Sequence, residues 1–254
     1  MYPELNLFGY NMGTFPLFVG IGLAFGIFFV FFQLRKIAPS PERENAIMFA
    51  LPLTFILGTV GAHILDVFFR AGMKALVKNP FAYGLTFYGW LISAFIFLII
   101  YSKVCRISPA YMLNMFCPAF AIAQAFGRIG CFLGGCCYGH PSKWGCIYPA
   151  GTLPYRQYGA VPLIPVQLYE SVYLFAIFII LLFFIRFKRR AAWYLIMLTV
   201  GRFGLEFLRA DDRGRLFCDT FSPSQWISAV IFTIGILWLI AINKKDKNYV
   251  SRKQ

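Results

Sequence analysis

Long apolar runs separated by short polar or charged clusters set the pattern of this chain. Seven of them approach or exceed the roughly 20 residues that an α-helix needs to cross a hydrocarbon core about 30 Å thick. They run from about Phe15 to Leu34, Ala46 to Phe69, Phe81 to Tyr101, Tyr111 to Phe126, Pro165 to Phe187, Ala191 to Leu208 and Ser224 to Asn243. Inside lipid every backbone polar group must be satisfied within its own segment, so the pattern predicts an all-α polytopic membrane protein of about seven transmembrane helices. The long connection from Gly127 to Pro165, rich in Gly, Pro and Tyr, reads as a folded loop region against the outer face.

Composition agrees. Of 254 residues, 59% are hydrophobic and 13% charged, about half the charged fraction of a soluble domain. With no repeat and no linker, residues 1–254 form a single membrane domain. The net charge of +14 does not point to nucleic acid, because the basic residues punctuate apolar spans and do not gather on one solvated face; membrane lipids are the expected anionic partners. Residues 1–13 lack Lys and Arg and contain Glu4, so they have no positive signal-peptide region, and the first apolar run is expected to remain.

Seven crossings place the termini on opposite sides. Fourteen of the 24 Lys and Arg residues fall in the connections after spans one, three and five and in the tail, including the clusters Arg186–Arg190 and Lys244–Lys247. The positive-inside rule then puts the N-terminus outside and the C-terminus in the cytoplasm.

Charged residues at membrane depth need a partner or a purpose, since each costs roughly 2.5–3.5 kcal/mol at a helix centre. Arg202 and Glu206 stand four apart in GRFGLEFLR, on one helical face, where they can pair as a structural lock or form an anion site. Arg128 lies in GRIGCFLGGCCYG among Gly127, Gly130, Gly134, Gly135 and Gly139. Glycine lets backbone N–H groups approach a phosphate that a forked guanidinium also suits; tight helix packing explains the same residues. Gln167 and Glu170 open the fifth span in IPVQLYES, and Glu170 is placed to pair with Arg128 or Arg202 or to stay solvated at a helix start. His63 and Asp66 share a face of the second span and suit either a buried hydrogen bond or proton handling.

Seven cysteines occur, four of them between Cys131 and Cys146 with His140 among them. They lack paired C-x-x-C knuckles, and adjacent Cys136 and Cys137 rarely both ligate in a tetrahedral site, so no metal is expected. A disulfide and small buried thiols both remain open.

GRIGCFLGGCCYG, IPVQLYES, GRFGLEFLR followed by RADDRG, SPSQWIS and FYGWLIS, in their order along the chain, resemble the bacterial prolipoprotein diacylglyceryl transferase family. The resemblance implies a seven-helix enzyme of the bacterial inner membrane. Such an enzyme moves diacylglycerol from phosphatidylglycerol to the lipobox cysteine of a prolipoprotein signal peptide, forms a thioether and releases glycerol-1-phosphate without a cofactor. It makes Arg128 and Arg202 the lipid-phosphate residues, Glu206 the carboxylate supporting Arg202, and Tyr88 and Gly139 parts of the pocket. Gly127, Gly130, Gln167 and Glu170 join the expected binding set, and Tyr88 or His63 the expected proton relay. The acceptor brings its own thiol, so the chain's cysteines are expected to have no obligate part.

Departures mark a divergent member. Where the family signature has Asn, Asn and Glu, this chain has Cys131, Gly134 and Cys136. Asn114 stands at the family's Asp, His63 at its Arg, and Leu198 and Val19 at tyrosines. Three other readings therefore stay open: transfer of a lipid group to a small-molecule acceptor, an outer-face thiol redox protein, and a non-catalytic lipid-binding relative.

Overall fold

A computed structural model of the chain describes residues 4–7, 9–37, 40–71, 84–210 and 221–251. Cys218, the acidic pair of RADDRG and the expected start of the third span at Phe81 lie outside the described residues. So do Lys74, Lys78, Arg213 and Arg215, four of the 24 Lys and Arg residues.

A short antiparallel hairpin, β1 (Glu4–Leu7) and β2 (Tyr10–Gly13), leads directly into α1 (Thr14–Ile37). Then follow α2 (Pro41–Ala71), α3 (Phe87–Val104) and α4 (Pro109–Leu133). The connection after α4 holds β3 (Pro141–Cys146) and the six-residue α5 (Leu153–Tyr158). The chain closes with α6 (Val166–Phe183), α7 (Arg190–Glu206) and α8 (Pro223–Ser251). The seven long helices match the seven apolar runs. Among the described residues, six are long and apolar enough to cross a membrane. The exception is α7, whose 17 residues reach about 25 Å at 1.5 Å per residue, short of the hydrocarbon thickness.

Burial separates the helices by role. In its most apolar stretch α1 is 22% buried and α4 61%, so α4 is the axis and α1 a lipid-facing stave. Without a hydrophobic force between helices in lipid, close packing of small residues holds them together. Gly22 and Gly26 of α1 meet Ala123 and Ala119 of α4, and a Cβ on Gly22 would stand 2.6 Å from the Ala123 carbonyl. On the other side Gly61 of α2 faces Gly89 and Ser93 of α3, too close for any side chain at either glycine. α6 and α7 pack on the remaining faces of α4, and α8 packs on α7.

Polar contacts seat the ends. Asn114 on α4 donates to Lys188 O (3.3 Å) and accepts the Ala191 N–H (2.7 Å), satisfying an orphan amide at the start of α7. Asp66 on α2 accepts from the Gly84 N–H and the Thr86 hydroxyl, both at 2.9 Å, and so fixes the turn that begins α3. His63 Nδ1 lies 3.3 Å from the Gly84 carbonyl of the same turn. The connection between α4 and α6 is pinned by backbone pairing: Gly139 N–H to Ile164 O, His140 N–H to Leu208 O and Ala210 N–H to Tyr138 O.

Candidate active site

Glu170 is the hub of the interior. Carried on the first turns of α6 and 3% exposed, its carboxylate forms two ion pairs, Oε1 with Arg202 Nε at 2.8 Å and Oε2 with Arg128 Nε at 3.1 Å. Arg209 Nη1 approaches Oε2 at 3.9 Å. The side chains of Arg128 and Arg202 are themselves 9% and 3% exposed. Three helices thus deliver one anion and two cations to a single point, and the stretch after α7 adds a third cation. Bare guanidiniums would not be tolerated at this depth, so the shared carboxylate is what lets two arginines stand side by side.

This geometry corrects one expectation. Arg202 pairs across to Glu170, and Glu206 instead accepts from the Ser222 hydroxyl at 2.9 Å. Spacing of four residues put Arg202 and Glu206 on one face, but helical side chains lean toward the N-terminus of their helix, which draws Arg202 away from Glu206 and toward α6. Arg202 also stacks its guanidinium 4.0 Å from the Phe87 ring centroid and 5.9 Å from that of Tyr88. The buried Tyr88 hydroxyl bonds to Ser228 of α8.

Beside this cluster lies a cavity of about 760 Å³ between α1, α2, α3 and α4, within the size range of small-molecule sites. Its walls are almost entirely carbon: Phe15, Val19 and Leu23 from α1, Phe55 from α2, Trp90 from α3, Phe120 from α4. The polar exceptions include Arg128, Gln124, Thr59, Thr86 and the thiols of Cys131, Cys136 and Cys137. Arg128 therefore belongs both to the cavity wall and to the Glu170 cluster, and joins the two. Both polar atoms of the Gln124 amide are buried without a hydrogen-bond partner among the described residues. An unpaired buried amide costs roughly 1–3 kcal/mol and invites a ligand group.

The expected glycines divide. Gly127 lines the cavity, and a Cβ there would meet nothing within 4 Å. Gly130 packs against Phe15 and Phe18 of α1. Gly139 sits in the backbone pairing that joins the loop to residues 164 and 209, where a Cβ would stand 2.5 Å from Leu208 O; close packing, not open space, requires glycine there. Gln167 is fully buried, donates to the Cys136 carbonyl and exchanges bonds with the Tyr148 hydroxyl at 3.0 and 3.2 Å. Burial pushes the Tyr148 phenol up to about 12, so it remains a neutral donor and acceptor in this clamp. His63 is tied to Gly84, itself a wall residue.

The chain matches the family description "Prolipoprotein diacylglyceryl transferase" over residues 5–241. It belongs to the prolipoprotein diacylglyceryl transferase family. A phosphatidylglycerol–prolipoprotein diacylglyceryl transferase 2 of Clostridium perfringens is 32% identical over 249 residues, covering 94% of each chain. The Clostridium tetani transferase of the same designation, without the number, is 31% identical over 246 residues, 91% of this chain and 92% of its own. A Streptococcus agalactiae relative is 30% identical over 253 residues, 93% and 95% of the two chains. This member of the diacylglyceryl transferase family is accordingly a multi-pass membrane transferase.

Two features of the site escaped the sequence reading. Arg209 approaches Glu170 from outside the helices, and no spacing rule links residues 39 apart. The Cys131, Cys136 and Cys137 sulfurs all lie within 4.8 Å of one another. Neighbouring residues normally point apart, but Cys137 adopts a positive φ of 61°, which only glycine, Asn and Asp visit routinely, and the reversal brings the two adjacent thiols together. None of the three is in a disulfide.

Proposed function

We propose that the protein moves diacylglycerol from phosphatidylglycerol to the lipobox cysteine thiol of a prolipoprotein signal peptide, releasing glycerol-1-phosphate. The relatives' names supply donor and acceptor. The observation that carries the reading for this chain is Arg128, buried at the wall of the apolar cavity and tied through Glu170 to Arg202. The carbon-lined space suits acyl chains, and the guanidinium at its edge suits the phosphate attached to them.

Two bonds change. A thiolate sulfur attacks the lipid carbon that carries the phosphate ester, and the C–O bond breaks with its electron pair passing to the phosphate oxygen. Charge therefore builds on the phosphate in the transition state. Arg128 and Arg202, held in a water-poor interior, stabilise it there without reorganising. Glu170 sets the two guanidiniums at a fixed separation and yields part of their charge to the phosphate. Glu206, through Ser222, anchors the chain following α7. Tyr88, beside Arg202, and His63, tied to the wall residue Gly84, are the proton-handling groups; the Gln124 amide is the partner for a lipid ester or peptide carbonyl. The reaction takes place at the outer face of the bacterial inner membrane, with the N-terminus outside and the C-terminus cytoplasmic, the orientation that the basic clusters favour.

The test is direct. Purified protein incubated with glycerolipid-labelled phosphatidylglycerol and a lipobox peptide yields the diacylglyceryl thioether. Arg128→Ala and Arg202→Ala each reduce the rate by at least about 10²–10³-fold while the protein still inserts. Full activity in either variant, or a labelled lipid that binds and never reacts, defeats the reading.

A further inference from the structure

We infer that Cys131, Cys136 and Cys137 form a three-thiolate zinc site whose fourth position opens into the cavity and takes the acceptor thiol. The sulfurs lie within 4.8 Å of one another, and all three residues line the cavity next to Arg128. Zn–S bonds of about 2.3 Å place thiolates roughly 3.8 Å apart in a tetrahedral site, so a contraction of under about 1 Å closes the ring. The backbone is built for it: the end of α4 turns through Gly135 at φ 69° and Cys137 at φ 61°. The Cys136 N–H bonds to Cys131 O at 3.1 Å, and Gln167 holds the Cys136 carbonyl from α6.

Donor chemistry selects the ion. Three sulfur donors favour a soft d¹⁰ cation, and zinc sites with three protein ligands keep a fourth position for substrate. Three thiolates around Zn²⁺ leave one negative charge, and the Arg128 guanidinium stands beside them on the cavity wall to balance it.

The catalytic part rests on the proposed transfer reaction; the metal site does not. An acceptor thiol entering the fourth position displaces the bound water and passes its proton to that departing water, since a coordinated thiol is deprotonated outright. The zinc-bound sulfur then forms the S–C bond as the lipid C–O bond breaks and the phosphate departs with the electron pair. The product thioether, a weaker ligand than a thiolate, leaves the zinc for a new water molecule.

The test uses the full chain purified under reducing conditions, with zinc measured by elemental analysis and Co²⁺ used as an optical probe. The expected result is stoichiometric zinc and thiolate-to-Co²⁺ charge-transfer absorption, both lost in Cys131→Ser and Cys137→Ser and kept in Cys105→Ser and Cys146→Ser. A lipobox peptide shifts the Co²⁺ spectrum, and its Ser-for-Cys analogue does not. Absence of metal, retention of metal in Cys131→Ser and Cys137→Ser, or a Cys131–Cys136 disulfide in the isolated protein overturns the site. Thioether product formed at full rate by metal-free protein overturns the catalytic part and leaves the transfer reading standing. Metal bound with an unchanged spectrum on adding peptide overturns the open position alone.

Discussion

Replacing Glu170 with Gln keeps the shape of the side chain and removes the one charge that two buried arginines share. Arg202 Nε loses a 2.8 Å partner and Arg128 Nε a 3.1 Å partner, and Arg209 at 3.9 Å adds to the repulsion. Breaking a buried pair by deleting one member costs about 3–5 kcal/mol, equivalent to roughly 10²–10³·⁵ in the folding equilibrium at 1.4 kcal/mol per decade. The amide oxygen still accepts from one arginine, which places the expected loss at the lower end. Thermal unfolding in detergent micelles is the assay, run with phosphatidylglycerol and with diacylglycerol. Glu170→Gln unfolds at a lower temperature than the unaltered protein, and phosphatidylglycerol restores more of that loss than it adds to the unaltered protein, because the phosphate supplies the negative charge that the side chain no longer carries. Diacylglycerol fills the cavity without a phosphate and gives no such differential rescue. Equal stability of the two proteins, or equal gains from both lipids, refutes the claim that the arginines form one anion site around Glu170.

Gln124→Leu removes a buried amide that has no partner among the described residues. It raises thermal stability by about 1–3 kcal/mol and raises the KM for lipid or peptide, read by steady-state transfer kinetics; lower stability or an unchanged KM contradicts the assignment. Gly139→Ala drives a Cβ to 2.5 Å from Leu208 O, an overpacking of about 1–3 kcal/mol, so it lowers stability, whereas Gly127→Ala leaves stability unchanged; a limited-proteolysis comparison of the two variants decides it.

Most of the helical scaffold is legible in sequence because lipid allows few alternatives: an apolar run of the right length has to be a helix, and seven runs give seven helices. Where an edge shifted, a local group explains it. α3 starts at Phe87 because Asp66 holds Gly84 and Thr86 in a turn just before it. The site is legible as a set of residues and only in part as a set of contacts: Glu170 was placed to pair with Arg128 or Arg202 and meets both. Arg128, Glu170 and Arg202 are conspicuous by being charged at membrane depth, but which pairs with which depends on how α4, α6 and α7 meet around the axis. Helical spacing suggested Arg202 with Glu206; the long-range packing of α7 against α6 gave Arg202 to Glu170. The cysteines fail differently. Alternation along the chain argues that neighbours point apart, and the single backbone reversal at Cys137 is invisible in composition or spacing.

A structure of the protein with phosphatidylglycerol bound tests the central claim most directly. The account predicts the lipid phosphate within hydrogen-bonding distance of both Arg128 and Arg202, with acyl chains running between α1, α2, α3 and α4. A phosphate held elsewhere, with Glu170 still bridging both arginines undisturbed, contradicts it.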